Sequence, residues 1–251
     1  MITQSLILGI LPLYSIILTC SAALGLGLSA WIVAERKRFI VDAGIGLLFV
    51  SLLGARIGYI LLNLPFFKNH IDQMPQIWLG GLNWPGALMG AGIALLGVHL
   101  IWKEPLTELA DSYLPLVGTV AVAIWITGWG AGVGYGPRTN AWFGIPVRDL
   151  FGVIENRWPL PIIGAVLSAG WITGIVLLPL KQWKVKPGWR AVLGITGIVV
   201  INGVISLFRV DPAPLLWGIR EETWFSTVLL VCIAGIILKQ RNSTNNEKTE
   251  P

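Results

Sequence analysis

Seven long, nearly uncharged apolar runs constrain this chain more than anything else in its sequence: residues 6–34, 40–63, 84–102, 112–133, 160–180, 190–208 and 222–238. Each is long enough to cross a bilayer as a helix. Continuous apolar runs, rather than alternating ones, point to helices, because an unpaired backbone is too costly in hydrocarbon and barrel strands alternate. Composition agrees, with 55% of residues hydrophobic and only 12% charged, about half the charged fraction of a soluble domain. The expectation is an all-α integral membrane protein of about seven transmembrane helices. One domain should cover residues 1–240, followed by a disordered cytoplasmic tail at 241–251.

The basic residues sort by side. Arg36, Lys37, Arg38, Lys103, Lys181, Lys184, Lys186, Arg190, Lys239, Arg241 and Lys248 all fall in alternate connections, which the positive-inside rule makes cytoplasmic. The N-terminus is then outside and the C-terminus inside, and nucleic acid is excluded as the reason for the net charge of +5. Met1 to Ser5 carry no basic residue, which argues against a cleaved signal peptide. Cys20 and Cys232 lie within apolar runs, and His70 and His99 are far apart, so neither a disulfide framework nor a metal site is expected. No cofactor is implied.

The remaining basic residues are Arg56, inside the second run, and Lys68, Arg138, Arg148, Arg157, Arg209 and Arg220 in the outer connections. Six of these seven are arginine, whose planar fork binds phosphate or carboxylate in a bidentate way. They form a candidate set for an anionic ligand. Arg56 stands out, since an arginine within a span costs about 2.5–3.5 kcal/mol to insert and needs a partner, Asp42 being one alternative to a ligand.

Glycine-rich strings mark two further places. Gly80-Gly81-Leu82-Asn83-Trp84-Pro85-Gly86 opens the third run; its glycines permit positive φ or close backbone approach, and Pro85 suits a first helical turn. Gly128-Trp129-Gly130-Ala131-Gly132-Val133-Gly134-Tyr135-Gly136 closes the fourth, where two readings stay open: an unwound helix lining a cavity, or close helix packing. The acids Asp149, Glu155, Glu221 and Glu222 share the outer connections and read chiefly as partners of the arginines.

Taken in order, the strings Gly54-Ala55-Arg56-Ile57-Gly58-Tyr59, Asn63-Leu64-Pro65-Phe66 and Gly80-Gly81-Leu82-Asn83-Trp84 with Gly90 resemble the prolipoprotein diacylglyceryl transferase family. Weaker similarity runs through Gly130-Ala131-Gly132, Arg157-Trp158-Pro159 and Phe208-Arg209. The resemblance implies a seven-helix protein of the bacterial cytoplasmic membrane with a small outward-facing head formed by loops. It also implies transfer of a diacylglyceryl group from phosphatidylglycerol to the lipobox cysteine of a prolipoprotein, whose signal peptide is then a partner. Arg56, Arg157, Arg209, Tyr14 and Asn83 are the implied substrate- and phosphate-binding residues.

The chain also departs from the family. Where the family has His-Gly-Gly, this chain reads Pro85-Gly86-Ala87, and where it has Gly-Arg-Leu-Gly-Asn this chain reads Gly132-Val133-Gly134-Tyr135-Gly136. The family's glutamate position is Ala141, and its His-Pro-x-Gln-Leu-Tyr-Glu is Trp158-Pro159-Leu160-Pro161-Ile162-Ile163-Gly164. The retained residues suit a phosphate, and no general base is identified. The alternative expectation is therefore a member with lost or altered catalysis that binds anionic phospholipid or a membrane partner.

Overall fold

The computed structural model describes residues 6–7, 11–77, 80–148, 152–178 and 186–246. Asp149, Lys181, Lys184, Lys248 and the last part of the expected tail, 247–251, lie outside the described residues. The chain is mostly helical. After the short strands β1 (Leu6–Ile7) and β2 (Leu11–Pro12) come α1 (Leu13–Ile32), α2 (Lys37–Leu62), the single turn α3 (Leu64–Phe67), α4 (Trp84–Trp102), α5 (Leu106–Ser112) and α6 (Leu114–Gly130). A hairpin of β3 (Ile145–Arg148) and β4 (Ile154–Arg157) precedes α7 (Leu160–Leu177) and α8 (Trp189–Phe208); a second, of β5 (Leu215–Leu216) and β6 (Ile219–Arg220), leads into α9 (Glu221–Asn246).

Five of these segments, Leu13–Ile32, Ala34–Leu62, Trp84–Trp102, Leu160–Leu177 and Trp189–Phe208, are long and apolar enough to cross a membrane, and the bent pair α5 plus α6 makes a sixth. The seventh apolar run lies on α9, which continues past the expected start of the tail to Asn246. The class is thus an all-α membrane protein, with sheet among the described residues confined to three short two-stranded pairings. The run expected at 112–133 is the single helix α6, and the short α5 that precedes it meets it at 45°. Pro115 explains the break: it has no N–H to offer the carbonyl four residues back, and its ring crowds that carbonyl. Tyr113 fills the corner, buried, with its hydroxyl donating to Ile40 O at 2.9 Å.

The described residues form two compact units, one within 1–123 and 178–191, the other within 124–177 and 192–251. In the first, Leu26, Ala30, Ile40, Ala43, Leu47, Val98, Leu109, Tyr113 and Leu116 make one apolar cluster. Its closest helix pair is α2 with α4. A Cβ built on Gly54 would lie 2.4 Å from Gly86 O, one on Gly86 2.4 Å from Gly54 O, and one on Gly90 2.5 Å from Val50 O. Small residues four apart on each helix let the two backbones touch, the usual route to tight packing where lipid gives no hydrophobic drive. Asp111 on α5 accepts from Gly188 N (2.7 Å) and Ala191 N (2.8 Å), capping the start of α8.

In the second unit the same economy recurs with indole rings. Gly164 lies under the Trp125 ring, where a Cβ would come within 2.5 Å of it. Gly197 leaves room for Trp171, whose indole N–H donates to Leu193 O at 3.0 Å. Ser206 and Thr223 join α8 to α9 through their hydroxyls at 2.6 Å.

Candidate functional site

Three of the five expected ligand residues, Tyr14, Arg56 and Asn83, belong to the first unit and converge on the loop between α3 and α4. Arg56 sits on α2, buried, and its guanidinium donates four hydrogen bonds to backbone carbonyls: Nε to Met74 (2.8 Å), Nη1 to Gly80 (2.7 Å) and Gly81 (3.1 Å), and Nη2 to Gln73 (2.6 Å). Its Cζ lies 5.4 Å from the Phe67 ring centre and 5.8 Å from that of Tyr59, within cation–π range. No ion pair with Asp42 forms among the described residues. The charge is satisfied by carbonyl dipoles, the other way of accommodating an arginine in a span.

The local sequence makes this possible. Gly80 and Gly81 both have positive φ, 86° and 75°, which turns their carbonyls back toward Arg56. Gly81 also lies flat against the Tyr59 ring, where a Cβ would come within 2.4 Å of it. Asn83 then caps α4: its Oδ1 accepts from Gly86 N at 2.9 Å while its own N–H donates to Ala55 O at 3.0 Å. Tyr14 OH donates to Ile77 O at 3.5 Å, at the edge of the same loop. Pro85 is buried in the first turn of α4.

Arg157 and Arg209 belong to the second unit, where the structure brings them to the two ends of one dipeptide, Gly134-Tyr135. The fourth-run glycine string does unwind: α6 ends at Gly130, and Gly132 and Gly134 take φ of 68° and 78°. The Tyr135 ring then lies under Arg157, with Cζ 4.5 Å from its centre, and Tyr135 O accepts from Val210 N at 3.1 Å. A Cβ on Gly134 would come 3.9 Å from Arg209 Cζ. Arg157 ends β4, buried, and its Nη2 donates to Glu155 Oε2 at 2.9 Å; the same oxygen pairs with Arg138, whose side chain is mostly exposed.

Arg209 grips two carboxylates. Its Nε and Nη2 donate to the two oxygens of Asp211 at 3.0 and 2.7 Å, and Nη1 to Glu222 Oε2 at 2.6 Å. Arg220 adds a hydrogen bond to Asp211 O (2.6 Å) and ion pairs to Asp211 (3.4 Å) and Glu222 (3.7 Å). Burial alone would push the Asp211 carboxyl up, but the Arg209 hydrogen bond and charge, the Arg220 charge and the Gly134 N–H together hold it below the usual aspartate range. Burial likewise works against charge on Arg209, and the two carboxylates more than reverse that. Such bidentate, charge-assisted pairs fix geometry as well as charge.

Among the described residues, Arg209 and Arg220 pair with Asp211 and Glu222, and Arg138 and Arg157 share Glu155. Of the acids expected as arginine partners, Glu155 and Glu222 pair so, whereas Asp149 lies outside the described residues; Asp211 was missed. The signal was present in Arg209-Val210-Asp211, since two residues apart in an extended segment share a side.

A phosphatidylglycerol–prolipoprotein diacylglyceryl transferase of Listeria monocytogenes serotype 4b is 30% identical over 226 residues, covering 83% of this chain and 77% of the relative. One from Listeria welshimeri is 30% identical over 230 residues with the same coverage. One from Thermosynechococcus vestitus is 28% identical over 116 residues, 45% of this chain and 43% of that protein. The profile of the family described as prolipoprotein diacylglyceryl transferase matches residues 6–239, and the chain belongs to that family.

Proposed function

We propose that the protein transfers a diacylglyceryl group from phosphatidylglycerol to the lipobox cysteine of a prolipoprotein, in the cytoplasmic membrane of a bacterium. The observation that carries this reading is the family match along residues 6–239, almost the whole chain. In the reaction a thiol sulfur attacks the glyceryl carbon bonded to phosphate. A C–S bond forms, the C–O bond to phosphate breaks, and the S–H proton ends on the departing phosphate oxygen. Arg157 and Arg209, either side of Gly134-Tyr135, hold that phosphate and stabilise the charge that develops on it. With Pro85 at the histidine position, the leaving phosphate itself is the proton's destination.

Tyr14, Arg56 and Asn83 shape the loop over the first unit, and Arg56 reaches a lipid phosphate only with the donor its carbonyl contacts leave over. In this reading the protein has seven spans with α9 the last, the N-terminus outside, the C-terminus in the cytoplasm, and the loops carrying Arg157 and Arg209 on the outer face. The excess of basic residues in the alternate connections supports that orientation. The test is expression in a bacterium depleted of its own transferase, following lipid attachment to a prolipoprotein by its shift in mobility. Attachment that is lost in Arg209→Ala is expected; no attachment, with the protein present and folded in the membrane, overturns the reading.

A further inference from the structure

The loop between α8 and α9 ends in a hairpin whose composition is wrong for water. Residues 215–219 read Leu-Leu-Trp-Gly-Ile, and Leu215, Leu216, Trp217 and Ile219 are all exposed, Trp217 at 81% and Leu215 at 64%. A connection facing solvent is normally polar, and a run of exposed apolar residues is an error unless it serves a purpose. The strands are only two residues each, paired Leu215 with Arg220 and Leu216 with Ile219, so the apolar tip stays close to the helix end.

The backbone adds a second observation. Both residues of the tight turn have positive φ, Trp217 at 52° and Gly218 at 78°. Two-residue hairpins of this kind favour Asn-Gly or Asp-Gly. A bulky aromatic is an outlier in the left-handed region, held there against its own preference. The strain keeps a large apolar ring at the tip where a small polar residue is easier to accommodate.

Contacts with α9 then fix the place of that ring. Trp217 packs edge to face on Trp224, with centres 5.5 Å apart, and the Trp224 indole N–H donates to Leu216 O at 2.9 Å. Trp224 lies three residues into α9 from Glu221, about 4.5 Å along its axis. The hairpin is therefore folded back beside the first turn of an apolar helix rather than projecting away from it. Its polar side is turned inward: Arg220 donates to Asp211 O and pairs with Asp211 and Glu222.

We propose that the β5–β6 hairpin is an interfacial anchor whose tip, Leu215 to Ile219, inserts into the lipid leaflet where α9 begins, at the boundary between headgroups and acyl chains. Indole rings favour that boundary, with an apolar body in the chains and an N–H toward the headgroups. The anchor sets the level of the Arg209–Asp211–Glu222–Arg220 cluster, because Arg220 is both the last residue of the hairpin and a member of the cluster. This surface stands on the hairpin alone and is independent of the reaction proposed above.

The experiment uses the full-length protein with Cys20 and Cys232 changed to serine and one new cysteine, W217C or L215C, carrying an environment-sensitive fluorophore. The L215C probe leaves the Trp217–Trp224 contact in place. Each is reconstituted into vesicles of phosphatidylcholine and phosphatidylglycerol, with N140C in an exposed loop as the water-facing control. The expected result is a blue-shifted emission at both hairpin positions, strong quenching by lipids bearing a nitroxide near the top of the acyl chain, and little quenching by aqueous iodide. Quenching by iodide at the level of the control overturns the proposal by placing the tip in water. Shielding from both quenchers overturns it too, by showing that protein covers the tip.

Discussion

Replacing Arg56 by alanine separates a loop clamp from a direct lipid ligand. The guanidinium donates to four carbonyls, of Gln73, Met74, Gly80 and Gly81, at 2.6–3.1 Å. Hydrogen bonds to a charged group contribute about 1.5–3 kcal/mol each, but bonds that share one side chain do not add, and loop carbonyls can turn to water once released. A loss of about 3–4 kcal/mol is the reasonable size for breaking one such buried charged group from its partners. The loop opens locally rather than the helices separating, since α2 and α4 remain held by the Gly54–Gly86 and Gly90–Val50 contacts.

In the whole protein in lipid nanodiscs, amide hydrogen exchange in peptides spanning residues 71–83 should then quicken roughly 100- to 1,000-fold. Peptides from α1 and α2 should not change. Arg56→Lys keeps the charge but offers one compact ammonium in place of a fork, and should give roughly half that free-energy effect. The acceleration should be the same with and without phosphatidylglycerol. Unchanged exchange in Arg56→Ala, with the protein folded, would refute the clamp; an effect that exists only in the presence of anionic lipid would make Arg56 a phosphate ligand instead.

Other outcomes follow from single contacts. Gly86→Ala puts a methyl 2.4 Å from Gly54 O and should lower stability by about 1–3 kcal/mol, read as a fall in melting temperature in detergent, while Gly92→Ala, with nothing within 4 Å, should leave it unchanged. Asp111→Ala removes the acceptor of two amides at the start of α8 and should cost about 1–2 kcal/mol, seen as faster exchange at residues 186–192. The depressed pKa of Asp211 makes its pairs stabilising above the ordinary aspartate value of about 3.9 and weakens them as pH falls through the folded value. Proteolysis of the 209–220 loop should therefore be flat from pH 7 to about 5 and rise only below about 4. Asp211→Asn should remove that acid transition.

Much of the helical frame was written in apolar length: the third run, read as 84–102, is α4 to the residue, because Asn83 and Pro85 punctuate its start and no charge interrupts it. The fourth run, read as 112–133, holds one helix, α6, and Pro115 near its start marks the bend from the short α5 before it. The glycines of 80–90 divide by role as their chemistry allows, Gly80 and Gly81 taking positive φ and Gly86 and Gly90 taking the close approach to α2. The partners of Arg56 were not legible. They are backbone carbonyls, identical at every position, and only the folded loop selects which four face the guanidinium. Arg157 and Arg209 were read only as two members of a larger candidate set, and their meeting at Gly134-Tyr135 depends on a turn that composition does not specify.

The cap that Asp111 provides has a consequence for assembly. Its two amide partners are 77 and 80 residues downstream. During synthesis at ~5–20 residues per second, the α5 carboxylate waits roughly 4–15 s for them. In that interval the end of α5 has no lock and its carboxylate is open to water and to the neighbouring bases. The contact closes only when α8 has begun to emerge. Asp111 thus acts late, as a latch that fastens the first half of the chain once the second is being made, and a defect there should show first in the yield of correctly assembled protein rather than in the helices themselves.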